Sequence, residues 1–317
     1  MPAQGWRTNS NGHHDERRVA RVVARSKRLD TVFAACGIGV LVLALGLLMA
    51  LLADLAADGL RRIDYDFLTS FPSRRPAQAG ILSAWVGTSL VMMVTAALAI
   101  PIGVGAGLYL EEYAPKNWIT DIIEINVSNL AGVPSIVYGL LALGLFVYGL
   151  GMGQTILVAG MVLALLILPV VIVATREAIR AIPRETKEAA YALGADNWQV
   201  MSYYIVPAAR PGILTGAIVG LSRAIGETAP VITIGALTFI AFLPPAPVQS
   251  QPPFFNFDWL FSPFTVMPIQ MFNWVSRPQS EFHINAAATG VVLMAMTIGM
   301  NAVAVWIRYR LRRRLGT

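Results

Sequence analysis

Arg223 and Glu227 stand four residues apart in a stretch, 211–242, that is otherwise apolar. On a helix that spacing puts both side chains on one face. A guanidinium presents parallel N–H donors and a permanent charge, which suits a tetrahedral oxyanion. A carboxylate beside it weakens anion capture and can accept a proton from a partly protonated anion. Hydrogen phosphate carries such a proton and sulfate does not, so the residue types lean towards phosphate. An arginine at the bilayer centre costs about 2.5–3.5 kcal/mol on insertion scales, so it must pair or work. Two readings follow from the residues. Either the charges neutralise each other as a structural pair, or they line a path for a polar substrate.

The element that positions them is expected to be a membrane helix. Counted from Pro211, Arg223 lies about 18 Å along it, near the membrane's middle. Pro230 has no N–H for the carbonyl of Gly226, which predicts irregular backbone beside Glu227. Gly216 and Gly220 form a small-xxx-small pair suited to close helix packing.

The whole chain supports that setting. Of its 317 residues 56% are hydrophobic and 13% charged, against about 25% charged in soluble domains. Mean hydropathy is +0.61. Apolar runs predict six spans: 31–53, 76–110 with a kink at Pro101, two within 125–175 divided at 149–153, 211–242 and 284–307. The expected organisation is a basic tail (1–30), a first transmembrane helix (31–53) and an external loop (54–80). A five-helix core (81–307) follows, containing a coupling loop (176–210) and an external loop (243–283), and then a basic tail (308–317). Six spans put both termini on one side. The tails, Lys116 and loop 176–210 hold 18 Lys and Arg residues, against five on the opposite face. Both termini are therefore expected in the cytoplasm. The net charge of +6 then reflects orientation at membrane lipid, not nucleic acid.

The remaining features weigh less. No cleavable signal peptide is expected before the first apolar run. Cys36 is the one cysteine and forms no intrachain disulfide. His13 and His14 lie in a polar tail and make no metal pattern. Arg18, Arg21, Arg25 and Arg28 recur at helical spacing, as a basic anchor or as a short interfacial helix on anionic lipid. Residues 243–283 combine prolines with Phe254, Phe255, Phe257, Trp259 and Phe261. They read as a plug packed on the bundle or as a docking surface for an external partner.

The coupling loop has its own pattern. Residues 184–193 favour a helix, Gly194 offers its stop, and Asp196 with Gln199 resembles a capping box opening a second helix. Ala189 and Ala190 leave room for a close approach by another surface.

This loop resembles the cytoplasmic signature of ABC-importer permeases. Glu188, Ala189, Ala190, Gly194 and Pro207 match at full spacing, while Tyr204 and Val206 depart from the usual Ile and Leu. Residues 131–140 (AGVPSIVYGL), 223–230 (RAIGETAP), 264–279 and 286–289 are similar to the PstA-type phosphate permeases. The resemblance covers about 81–307. It implies an all-α integral membrane protein of six transmembrane helices with the type I importer (MetI-like) core. It further implies a bacterial inner-membrane location, a PstC-like permease partner, a PstB-like ATPase dimer that uses ATP and Mg, and a PstS-like external phosphate-binding protein. No cofactor and no catalysis are expected in this chain. Arg223 and Glu227 would line the translocation path. Glu188, Ala189, Ala190, Gly194 and Pro207 would couple to the ATPase, and Pro230, Gly216 and Gly220 would serve packing and gating. The alternatives are a permease for another oxyanion (sulfate, molybdate), a phosphate-sensing scaffold, or a membrane-embedded enzyme. The last is disfavoured because the spans as drawn hold no His, no Asp and no acid pair.

Overall fold

The computed structural model describes residues 12–237, 239–249 and 254–314. It forms two compact units, Met1–Leu55 and Ala56–Thr317. The described residues of the first unit belong to one helix, α1 (Gly12–Gly59). Its backbone is helical through the basic tail, so the expected boundary at residue 30 is not a break. No Gly or Pro interrupts 13–36. Residues 30–51 are exposed along their length, as lipid contact requires. The side chains of His13, His14, Arg18, Arg21, Arg25 and Arg28 lie outside the described residues.

The second unit contains α2 (Tyr65–Thr69), α3 (Leu82–Leu108), α4 (Trp118–Leu130), α5 (Ser135–Ala142) and α6 (Ile156–Arg180). Then come α7 (Arg184–Ala192), α8 (Asn197–Gln199), α9 (Val206–Gly226), α10 (Ala229–Thr233), α11 (Met267–Val275) and α12 (Ser280–Arg314). α6 is central, packed between α3 and α9. Glycines set those separations. A Cβ on Gly160 would stand 2.3 Å from Val94, and one on Gly103 2.7 Å from Val171. On the other side, a Cβ on Gly216 would stand 2.2 Å from the Ala174 Cβ, and one on Gly212 2.5 Å from that of Ala178. Gly220 is looser, with its nearest contact at 3.5 Å. α12 is tied to α9 by Ser222 donating to Asn301 (2.6 Å) and Arg308 donating to Thr215 (2.8 Å).

Several expected spans are redrawn. The run 76–110 begins its helix at Leu82, because Pro76–Gln78 is a separate 3-10 turn. Pro101 lies inside α3 without ending it, and a π-helical turn, Tyr109–Tyr113, follows. The third span is bent. α4 and the continuous segment Ser135–Gly149 meet at 105°, across a break that ends at Pro134. α4 starts at Trp118, so Asp121 and Glu124 lie on a helix that was expected to be loop, and the spans do hold acids. The turn at 149–153 is present, with Gly151 and Gly153 at φ +64° and +70°. α12 extends the last expected span at both ends. Among the described residues five helices are long and apolar enough to cross a membrane, or up to six with the bent pair counted as one.

The outer loop divides in two. Phe264, Thr265 and Val266 are buried, and the Thr265 carbonyl would stand 2.1 Å from a Cβ on Gly87 of α3. Trp274 of α11 packs between Phe67 and Phe282. This half is a plug. Phe254, Phe255, Phe257 and Phe261 are exposed beside an isolated antiparallel bridge between Val248 and Phe255.

Candidate functional site

Arg223 and Glu227 sit where a helix stops, not inside one. The helical run starts at Asn197 and passes through a π-helical turn, Val200–Ile205, into α9. It ends at Gly226. Glu227 is extended (φ −77°, ψ 121°), and α10 starts two residues later. Among the described residues the expected helix through 242 does not continue beyond Thr233. Pro230 withholds an N–H from the Gly226 carbonyl and disfavours helical backbone just before it. Depth counted from Pro211 therefore does not hold, since Arg223 lies in the final turn of a 30-residue run. The charges still meet, without a shared helix face. Arg223 Nε lies 3.5 Å from Glu227 Oε1, with the side chains 42% and 21% exposed. That is long for a charge-assisted hydrogen bond. Among the described residues, the Nη groups of Arg223 have no hydrogen bond or ion pair, so two forked donors remain available for an anion.

The surrounding backbone is tightly held. A Cβ on Gly139 of α5 would stand 1.7 Å from Thr233 Oγ1 and 2.7 Å from Pro230 Cα. α5 thus lies directly on α10. The Tyr138 hydroxyl donates to the Leu130 carbonyl (2.8 Å) and bridges the break between α4 and α5. Its hydroxyl also lies within electrostatic reach of Arg223.

At the other end of the unit, α7 and α8 form the expected helix–turn–helix. Gly194 has φ +84°. Gln199 N–H donates to Asp196 Oδ1 (2.7 Å), and Asp196 N–H donates to Gln199 Oε1 (3.0 Å), a complete capping box. Ala190 points inward onto Ile179, Val200, Met201 and Ile205. Glu188 and Ala189 are exposed, with Tyr191, Leu193 and Trp198 beside them. One alanine therefore seats the helix and the other faces out. Pro207 opens α9 just after the π-helical turn.

A network of charges ties α7 to α6, to α4 and to the turn after α3, and sequence reading missed it. Arg176, only 8% exposed, reaches Glu111 with Nε (3.2 Å) and Glu124 with Nη2 (2.6 Å). Arg180 Nε pairs with the other Glu111 oxygen (2.8 Å). Lys187 of α7 pairs with Glu112. The available signal was two adjacent glutamates closing an apolar run, with Arg176 and Arg180 four apart. Among the described residues no group of three or more His, Cys, Asp or Glu could hold a metal ion.

Comparison with known proteins fits this architecture. The family profile described as "binding-protein-dependent transport system inner membrane component" matches residues 99–317. The chain belongs to that family and is a multi-pass permease subunit of an ABC importer. It is 30% identical over 274 residues to the probable ABC transporter permease protein YqgI of Bacillus subtilis, covering 85% of this chain and 91% of the relative. It is 30% identical over 235 residues to phosphate transport system permease protein PstA 1 of Mycobacterium tuberculosis H37Rv, covering 74% and 71%. It is 31% identical over 242 residues to PstA of Yersinia pestis, covering 73% of each chain. Among solved structures, an inward-facing form of the MetNI methionine ABC transporter superposes with a TM-score of 0.56 at 16% identity. That match covers 73% of this chain and 95% of the other, and it supports the fold.

Proposed function

We propose that this chain forms half of an ATP-driven path for inorganic phosphate across the bacterial inner membrane. The observation that carries this reading is the guanidinium of Arg223, held at a broken helix end with its Nη groups unengaged among the described residues. The PstA relatives support phosphate as the passenger. Arg223 lies at the C-terminus of α9, where the helix dipole favours a cation and disfavours an anion. Glu227 adds a second repulsion. An oxyanion there would gain a bidentate contact against opposing charge, so capture stays brief and the anion moves on. Glu227 can also accept a hydrogen bond from the P–OH of hydrogen phosphate.

The exposed face of α7, with Glu188 and Ala189 outward and Gly194 ending the helix, is the surface on which a PstB-like ATPase dimer would dock. ATP and Mg would bind in that partner, and this chain supplies no catalytic group. A PstC-like permease would complete the path, and a PstS-like binding protein would deliver phosphate from outside. Both termini would lie in the cytoplasm.

Radiolabelled phosphate uptake tests this, in a transporter-null strain carrying this chain and its partners. Uptake that excess sulfate and molybdate leave unchanged is the expected result. Competition by sulfate or molybdate, or no phosphate uptake, overturns the substrate assignment.

A further inference from the structure

The docking helix and the Arg223–Glu227 pair are at opposite ends of α9, yet they are joined by a second route that does not follow α9. Lys187 of α7 is paired with Glu112 in the π-helical turn that follows α3. The adjacent Glu111 is shared by Arg176 and Arg180 at the end of α6. Arg176 passes across to Glu124 on α4. Beyond Glu124 the route is packing. Tyr138 bridges the α4–α5 break, and Gly139 of α5 lies against Pro230 and Thr233 of α10, next to Glu227.

Three features separate this route from a scatter of surface pairs. Arg176 is nearly buried and spends both edges of its guanidinium on two different elements. Such a bridge fixes direction as well as distance, because the fork is planar. A cleft of about 410 Å³ lies between α4 and α6, bordered by Glu124, Ser128 and Arg176. α4 thus has space beside it, and the Arg176–Glu124 contact spans that space. The two acids also share one π-helical turn. Displacement of Lys187 therefore moves the backbone that holds Glu111.

We propose that Lys187, Glu112, Glu111, Arg176 and Glu124 are positioning residues that carry movement of α7 to the α4–α5 arm and so to the Arg223–Glu227 pair. The proposal rests on α7 being the ATPase-docking helix. It predicts that breaking the ties leaves the complex assembled and ATP hydrolysed, while the break after α9 no longer responds.

The test uses the full complex with its permease partner and ATPase. Cys36→Ser removes this chain's one native thiol, and the partners are used in cysteine-free form. Gly226→Cys places a reporter where a Cβ meets nothing within 4 Å. Its reaction with a thiol reagent is followed with and without ATP plus vanadate. In the parent the nucleotide should change the labelling rate severalfold. Glu112→Gln and Arg176→Gln should each reduce that response at least about twofold, with ATPase copurification unchanged. The charge swap Glu112→Lys with Lys187→Glu should restore most of it, because it remakes the ion pair with its signs exchanged. A full response in the single variants, or a swap no better than Glu112→Gln, overturns the relay. The readout does not depend on which anion is carried. Failure of phosphate uptake would remove the substrate assignment and leave this test intact. Loss of ATPase copurification from the parent would instead remove the docking premise.

Discussion

At the scale of the residue, the proposed path gives Arg223 and Glu227 separable duties. The 3.5 Å gap leaves the guanidinium loosely restrained, so an arriving oxyanion can displace the carboxylate without breaking a strong bond. Charge-assisted hydrogen bonds are worth about 1.5–3 kcal/mol, roughly 10- to 150-fold in rate if made at the limiting step. Arg223→Gln should therefore lower phosphate uptake at least about tenfold while the complex still purifies intact. Arg223→Lys keeps the charge but loses the fork, and should fall between. Wild-type uptake by Arg223→Gln would leave the pair as a structural neutralisation. Glu227→Gln gives a different signature. With the repulsion gone, the anion should linger, so purified complex retains more radiolabelled phosphate while uptake slows. Normal uptake with no added retention would confine Glu227 to restraining Arg223.

At the scale of the element, glycine positions make predictions of opposite sign along one helix. A methyl on Gly216 would collide with the Ala174 Cβ at 2.2 Å, whereas one on Gly220 would make ordinary contacts at 3.5 Å. Gly216→Ala should cost about 1–3 kcal/mol through overpacking. Gly220→Ala should be neutral or gain up to about 1 kcal/mol from helix propensity. Thermal unfolding of the purified complex separates the two, and equal losses would contradict the packing. Gly194→Ala should strain α7's stop by about 1–2 kcal/mol, because φ is +84°. Its readout is weaker ATPase copurification. These elements also show what the sequence carries. Gly194, Asp196 and Gln199 were legible because capping is local. So was the trouble that Pro230 makes for its helix. The consequence, a helix ending at Gly226, was not, because apolar runs report length and not direction. The 105° bend between α4 and α5 was hidden for the same reason. Glu111 and Arg176 are 65 residues apart, and no local pattern announces that they meet.

At the scale of the whole molecule, the bent pair decides the topology. If α4 and Ser135–Gly149 together cross the membrane, α6 then runs back and delivers α7 to the side on which α4 began. If the pair re-enters and leaves by the same face, α6 carries α7 to the opposite side. Loop 176–210 is rich in Arg and Lys, and such loops stay cytoplasmic. A broken helix is tolerated at membrane depth when it is buried in protein or lines a cavity, and α5 is packed on α10 at Gly139. With α7 placed in the cytoplasm by that charge, and Lys187 paired to Glu112 just before α4, the expected arrangement is that the pair crosses. Tyr148 and Leu193, 74% and 83% exposed, report on the two ends. With Cys36→Ser as background, Tyr148→Cys should react with a membrane-impermeant thiol reagent in intact cells. Leu193→Cys should react only after permeabilisation. If instead Leu193→Cys were labelled from outside while Tyr148→Cys and Trp118→Cys (Trp118 opens α4 and is 70% exposed) were both protected, the pair would be re-entrant. α7 would then face away from any cytoplasmic ATPase.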